Sequence, residues 1–563
     1  MRTDYNTKYM LEPRSRASEL IKLSIRKFGC FIFVFSLLAI LPTLNAEEPA
    51  GPLEGLIFIK QSGPEYLSFN ELAALSQNKA PSPQISEKVE RLFNTPFINN
   101  EAFDSGARPR RPHSEKLGAF LRVLQWNIEK SLHLDWAVAV MADFDRYIEL
   151  IDFHKARDLE TYDAIVTERE LLKDADILIL QEIEIGVKRS KYYHSPDVLA
   201  RSLNMNYAYA AQYLEVDPVQ LGFEHIYDET GQIDRESEKY FSVDPEQYKG
   251  LFGSVVLSRY PIKYAEAFPL QTQGYDWYQE EKKKTSYLEN ARRVGAKLLL
   301  ASELHREIKV GGRGFFRVDL HIPGLPNDTL TVINIHLEIK CLPAKREEQI
   351  KEILGYIKDI PNPVIMAGDF NSAPTDLSPT NTVRVAERTI KNPETWASVA
   401  VNAVVPQSLL VNTSRFFSNL TKNYQNPTAK HVPFILPNNV KGMFDAIQNF
   451  RFADGRAFDF RGDKNRSTGR SDKILANSNE RDLWGYKTTF QTPRTVANII
   501  GKYRLDWFFV KSYLSDPLDH DGPYRLAPHF GRTLTDLNRL LKEPISDHDP
   551  SIIDIPFNEP DIE

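Results

Sequence analysis

The chain has only two cysteines in 563 residues, Cys30 and Cys341, so its fold must rest on a hydrophobic core and not on a disulfide framework. It has little excess charge of either sign: 70 Lys and Arg stand against 76 Asp and Glu, a formal net charge of -6. Binding nucleic acid through overall basicity is therefore excluded, although a local basic groove beside a metal is not. No repeat of solenoid length and no low-complexity tract occurs, which removes repeat arrays and disordered tails from consideration. Long apolar runs are also missing. The run from Phe28 to Leu41 has 14 residues, short of the roughly 20 that cross a bilayer.

That run follows Arg14, Arg16, Lys22, Arg26 and Lys27 and precedes Pro42 and Ala46, the order of a secretory signal peptide. Residues 1–46 are expected to be cleaved near Ala46 and the protein exported, periplasmic or secreted. Retention of residues 28–41 as a membrane anchor is the alternative. Cleavage removes seven Lys and Arg against three Asp and Glu, so the remainder is more acidic, with Cys341 as its single cysteine.

What is present is the make-up of a globular protein, 42% hydrophobic and 26% charged. Residues 47–116 read as a linker with short docked elements, punctuated by Pro81 and Pro83. Its Arg108, Arg110 and Arg111 cluster reads as a solvated segment. From residue 117 to 558, short β-branched runs alternate with amphipathic stretches, as in a layered α/β or α+β domain. Leu121 to Trp126, Ile177 to Leu180, Ser254 to Leu257, Leu330 to Ile335, Val364 to Met366, Leu505 to Val510 and Ser551 to Ile555 predict strands. Ile350, Ile353, Leu354 and Ile357 predict one helical face. Three stretches, near 213–250, 271–324 and 376–500, read as insertions.

The informative pattern lies at the strand ends, each of which leads into an acid, an amide or an imidazole. Leu121 to Trp126 leads to Asn127 and Glu129, and Ile177 to Leu180 leads to Gln181 and Glu182. Val332 to Ile335 leads to His336, Val364 to Met366 leads to Gly368, Asp369 and Asn371, and Asp506 opens a late strand. Asp547 and His548 come just ahead of the last one. Polar groups gathered at strand ends line a single mouth. Mg²⁺ takes one or two carboxylates plus water and phosphate, which suits Glu182 and Asp547. Phosphodiester cleavage also needs an activated water and charge stabilisation. Asp369 could orient the water, Asn127 and Asn371 could donate or coordinate, and the two histidines could contact phosphate, His548 with Asp506 as its orienting acid. Taken singly, each piece reads more simply as a turn or a buried polar residue. Glu129 reads as structural or peripheral. Joint occurrence in this order lifts the set.

The order Gln-Trp-Asn-Ile-Glu (125–129), Gln-Glu-Ile (181–183), Asn-Ile-His-Leu (334–337), Gly-Asp-Phe-Asn-Ser (368–372), Leu-Asp-Trp-Phe-Phe (505–509) and Ser-Asp-His-Asp-Pro (546–550) resembles the endonuclease/exonuclease/phosphatase superfamily, the DNase I-like phosphoesterases. The resemblance implies a four-layered α/β sandwich and one catalytic domain over 117–558. It implies hydrolysis of phosphoesters in nucleic acid, sphingomyelin or other phospholipids, or phosphoinositides, with Mg²⁺ or a similar ion such as Mn²⁺ or Ca²⁺. Nucleic acid is the first substrate expected and a phospholipid headgroup the second. By the family pattern Glu182 is the principal metal ligand, supported by Asn127 and Asp547. Asp369 and Asn371 act on the water and the transition state, while His548 with Asp506, and His336, form the catalytic histidine set. The chain departs from that pattern at Ser254, where Asn is usual after the glycine. A binding module that keeps the sandwich without catalysis is the alternative from another class.

Overall fold

Alternation along each strand decides which layer a side chain enters, and among the described residues it sorts most of the buried apolar side chains into three large cores. The computed structural model describes residue 58 and residues 63–225, 232–233, 235–282, 307–374, 426–430, 438–459, 478–482, 485–496, 500–514, 524–527 and 529–559. The principal strands are β1 (Phe97–Asn99), β2 (His113–Ser114), β3 (Gly118–Asn127), β4 (Ile177–Ile185), β5 (Asn206–Glu215), β6 (Leu251–Ser258) and β7 (Ile262–Pro269). They continue with β8 (Lys309–Gly311), β9 (Gly314–His321), β10 (Thr329–His336), β11 (Val364–Asp369), β12 (Asp506–Lys511), β13 (His529–Thr533) and β14 (Ser551–Pro556). One sheet of nine strands has the order β1-β5-β6-β4-β3-β14-β13, with β2 beside β3 and β8 beside β5. The second, of five strands, runs β12-β11-β10-β9-β7.

Leu121 and Val123 of β3 and Ile177 and Ile179 of β4 meet Val332, Ile365, Ala367 and Phe508 in a core between the two sheets. Their neighbours Leu124, Trp126, Leu178 and Leu180 face the opposite way, into a core shared with helices α1 (Phe69–Gln77), α2 (Pro83–Asn94), α3 (Leu134–Ala142), α4 (Leu159–Lys173) and α5 (Ser195–Leu203). On the far side Ile333, Ile335, Val364, Met366, Trp507 and Phe509 pack with α6 (Pro343–Ile357) and α7 (Lys441–Asn449). The result is helix, sheet, sheet, helix: the four-layered sandwich.

All seven strands read from the sequence are present, most of them longer, and the helical face at Ile350 to Ile357 belongs to α6. Differences lie in the connecting stretches. The stretch 271–324 contains β8 and β9, and β9 sits between β7 and β10 in the second sheet, so that part is sheet and not insertion. Most of 376–500 lies outside the described residues, yet α7 within it covers the second sheet. Within 47–116 Pro83 opens a helix, Pro83–Asn94, behind a Ser82 cap whose hydroxyl accepts from the Ile85 amide; proline is preorganised for the first helical position. Arg111 is also not free in solvent, because its guanidinium donates to the Tyr260 hydroxyl and lies over the Phe557 ring. Residues 1–46 lie outside the described residues, and among the described ones no helix is long and apolar enough to cross a membrane.

Candidate active site

The site forms because adjacent strands bring polar residues side by side just beyond the apolar core. In the second sheet His336 of β10 pairs in register with Asp369 of β11, which pairs with Asp506 of β12. All three follow the parity of the inter-sheet core, so their side chains stand over it. In the first sheet Gln125 and Asn127 do the same on β3, and Asn127 pairs with Gln181 of β4.

Glu182 cannot join this face on a regular strand. Gln181 already points inward, so residue 182 would point to the helices. A β-bulge between Gln181 and Ile183 resets the alternation, and Glu182 adopts φ +59°. Beyond it Ile183 and Ile185 pack on the helix side, leaving Glu182 turned into the cleft. Non-glycine residues in this region cost about 1–3 kcal/mol and gather at functional sites. Gly368 is a second backbone requirement, since at φ +146° an added Cβ would stand 1.9 Å from the Ile335 carbonyl oxygen.

The eight residues singled out from the sequence meet in one place. Asn127 Nδ2 lies 3.3 Å from Glu182 Oε1 and 3.2 Å from Asp369 Oδ2. The Lys130 amide holds Glu182 Oε2 at 3.1 Å. The Asn371 backbone amide donates to Asp369 Oδ1 at 2.8 Å and its side chain to Oδ2 at 3.1 Å. His336 Nε2 approaches Asp369 Oδ2 at 3.5 Å and Glu182 Oε1 at 3.8 Å, and its Nδ1 is buried without a partner. From the other side His548 Nε2 stands 3.8 Å from Asp369 Oδ2 and 4.0 Å from Asp547 Oδ1. His548 Nδ1 is 2.8 Å from Asp506 Oδ2.

The two histidines have opposite electrostatics. Burial opposes charge on both. For His548 the adjacent Asp506 carboxylate overrides burial and raises its pKa well above the usual value, while Asp506 itself is held low by His548 against its own burial. His336 is pushed well below its usual value by burial, then by the charges of Arg313 and His548, and so is neutral. Asp369 is pushed up to about 7 by burial, with Asp506 adding to the shift and His548 opposing it.

Several residues missed in the sequence support this arrangement. Gln125 Nε2 donates to Asp506 Oδ1 at 2.7 Å and to Gln181 Oε1 at 2.9 Å, and Gln181 continues to Asn334 Oδ1 at 2.8 Å. Its strand parity with Asn127 was the available signal. Of the two readings of Glu129 the structural one fits: its carboxylate accepts the Asp547 amide at 2.9 Å, and burial followed by the Asp547 charge raises its pKa to about 8. Trp126 Nε1 holds the His548 carbonyl at 2.9 Å. Buried Arg313 has Nε 3.4 Å from Glu338 Oε2 and an Nη1 without a partner. It lies in a stretch whose strand pattern is hidden by the surrounding loops. Ser254, the departure from the family pattern, has a buried hydroxyl without a partner, and Asn334 bridges the neighbouring Leu180 and Val255 carbonyls instead.

No group of three or more His, Cys, Asp or Glu side chains is already arranged to hold an ion among the described residues. The donor set nevertheless fits a hard divalent cation that keeps its waters, since Mg²⁺ needs only one or two carboxylates. Glu129, Asp369 and Asp547 are all raised by burial and by one another or by Glu182, as expected of a cleft short of positive charge.

Residues 124–548 match the model of the Endonuclease/Exonuclease/phosphatase family. No curated protein matches the chain. Among solved structures, an endonuclease/exonuclease/phosphatase from Beutenbergia cavernae is 15% identical, with 78% of this chain and 72% of that one covered and a TM-score of 0.35. The human Nocturnin catalytic domain with a bound sulfate anion is 12% identical, covering 78% and 94% at a TM-score of 0.32. A 3'-5' exonuclease from Neisseria meningitidis is 14% identical, covering 77% and 99% at a TM-score of 0.33. Members of this family are mostly phosphoester hydrolases, and its model covers both ends of the cleft, from β3 to His548: the chain belongs to the endonuclease/exonuclease/phosphatase family.

Proposed function

We propose that this protein hydrolyses phosphodiesters in nucleic acid with the help of a divalent cation, Mg²⁺ or the similar Mn²⁺ or Ca²⁺. The observation that carries this reading is the convergence of Glu182, Asn127, Asp369, Asn371, His336 and the His548–Asp506 pair within a few ångströms. Glu182 would hold the cation with Asn127 and Asp547. Bound there, it would polarise the phosphoryl oxygens and ease departure of the leaving oxygen. Asp369, fixed by both amides of Asn371, would orient a water and take its proton; a carboxyl raised to about 7 suits a base near neutrality. The water oxygen bonds to phosphorus as the P–O bond to the leaving group breaks. His548, charged and fixed by Asp506, would donate to a non-bridging oxygen, and Arg313 Nη1 could add charge from the His336 side.

Nucleic acid is the substrate class that the order of the motifs suggests first. Phe252, 6.3 Å from the His336 ring, packs with Tyr213 and Trp277 in a buried cluster capped by the Lys340 ammonium, 4.0 Å over Trp277, which fixes the His336 side of the cleft. We also propose export, from the basic and apolar order of residues 14–41; the N-terminal residue of the protein isolated from its cells tests that. For activity, the test is release of product from linear and circular DNA, RNA, sphingomyelin and a chromogenic phosphodiester, with Mg²⁺ and with EDTA. Cleavage of DNA or RNA that is lost in EDTA is the expected result. Cleavage of sphingomyelin alone would replace the substrate, and activity undiminished by EDTA would overturn the mechanism.

A further inference from the structure

At the opposite end of the first sheet lies a cavity of about 380 Å³, lined by Arg110, Arg169, Lys173, Arg259 and the apolar Met141, Ala142, Phe144 and Leu203, with Ser202. Four cations line it and, among the described residues, no carboxylate does. The nearby acids are already engaged behind it. Asp176 accepts the Arg110 and Arg111 backbone amides at 2.7 and 3.1 Å, and Asp174 takes the Arg110 guanidinium at 2.8 Å. Glu170 takes Arg169 and Lys173, each at 3.0 Å.

Two donors remain. Arg169 and Arg259 are buried, 4% and 8% exposed, and the Nε of each has no hydrogen-bond partner. Arg169 is fixed over the Phe144 ring at 4.7 Å, and Arg259 Nη1 donates to the Leu203 carbonyl at 3.1 Å. Each guanidinium has a carboxylate near it, Glu170 at 3.0 Å from Arg169 Nη1 and Asp176 at 3.9 Å from Arg259 Nε, yet a buried donor without a hydrogen bond is costly unless something else takes it. Helices α3, α4 and α5 end beside this space, and with Asp174, Asp176 and Glu170 they offset most of the four positive charges, so an anion would be held chiefly by the two unfilled Nε donors.

We propose that this cavity is an anion site separate from the cleft, taking the phosphate group of a small phosphomonoester whose organic part rests on Met141, Phe144 and Leu203. The volume matches sites for small organic ligands, and paired guanidinium groups recognise phosphate through charge-assisted hydrogen bonds. The proposal stands independently of the hydrolytic reading, because no residue of the cleft takes part.

Calorimetric titration of the full chain in EDTA with phenyl phosphate, and separately with inorganic phosphate, tests it. Saturable one-to-one binding is expected, unchanged by Glu182→Gln and weakened at least about tenfold by Arg169→Gln or Arg259→Gln. Tighter binding of phenyl phosphate identifies the ester as the ligand; equal binding identifies free phosphate. Should either buried-arginine variant fail to fold, the half-exposed Arg110→Ala and Lys173→Ala are expected to weaken binding about threefold each. No saturable binding by the wild type up to about 10 mM, binding unmoved by all four substitutions, or its loss in Glu182→Gln would overturn the proposal.

Discussion

The two ends of strand β4 make opposite environments out of the same sheet. At its start, beside Asp176, three arginines and a lysine line a cavity that no carboxylate lines among the described residues, their partners Asp174, Asp176 and Glu170 standing outside the lining. At its far end Glu182 joins Glu129, Asp369 and Asp547, three acids with raised pKa values. Six residues at about 3.3 Å each put about 20 Å between them. A rigid strand thus holds a cation-seeking end and an anion-seeking end apart, and the apolar core between them keeps the two sets of charges from neutralising one another.

The largest effect should come from removing the acid that the bulge aims. We expect Glu182→Gln to lower kcat/KM at least about a thousandfold, some 4 kcal/mol of barrier, with the fold intact. Product release under saturating Mg²⁺ measures it, and near-normal turnover would remove Glu182 from the chemistry.

Next is Asp506→Asn, expected to cost about a hundredfold near neutral pH. Without its partner His548 should lose its proton at a lower pH than in the wild type, because burial is then opposed only by Asp369 and Asp547, so the remaining activity should fall at a lower pH than wild-type activity does. A structural role for Asp506 would lower activity equally at all pH values. The stability signs follow the same logic. His548, raised in the fold, stabilises fully below its unfolded value and ceases to as pH climbs through the raised one. Asp506, lowered in the fold, stabilises above its unfolded value and ceases to as pH falls through the lowered one.

How much of this could be read in advance depended on whether the signal was local. A polar residue at the end or start of an apolar strand is local, and Asn127, His336 and Asp369 at strand ends and Asp506 at a strand start stood out for that reason. The bulge that turns Glu182 is not: Gln181-Glu182 carries no glycine to announce it, and only pairing with Gly253 and Ser254 on β6 reveals it. Nor could sequence show β9 or α7 within stretches read as insertions, because each is fixed by the sheet it packs on. The Arg108 to Arg111 cluster resembled a solvated segment, and it is the burial of Asp176 that draws its backbone in.

A smaller effect concerns stability. Asp369 is raised in the fold to about 7, so it destabilises as pH rises from its unfolded value, near 3.9, to about 7. In EDTA Asp369→Asn should therefore raise Tm by a few degrees at pH 8 and much less at pH 5, while activity is lost. A lower Tm at pH 8 would mean that the hydrogen bonds from Asn127 and Asn371 outweigh the charge.

The smallest expected effect is none at all, and it bears most directly on the comparison of the two ends. Lys173→Ala and Arg110→Ala remove half-exposed charges from the basic end, about 20 Å from the cleft. At physiological ionic strength charges are screened over about 8 Å, so the pH profile of hydrolysis should stay within about 0.2 unit of the wild type. Two screening lengths attenuate the field, and Val123, Ile177 and Ile179 between the two ends pack in the apolar inter-sheet core. A larger shift that vanishes in high salt would show that the field of the basic end reaches Asp369 or His548. A shift that survives high salt would point to movement of β4 itself, and the two ends would then be coupled through the strand that separates them.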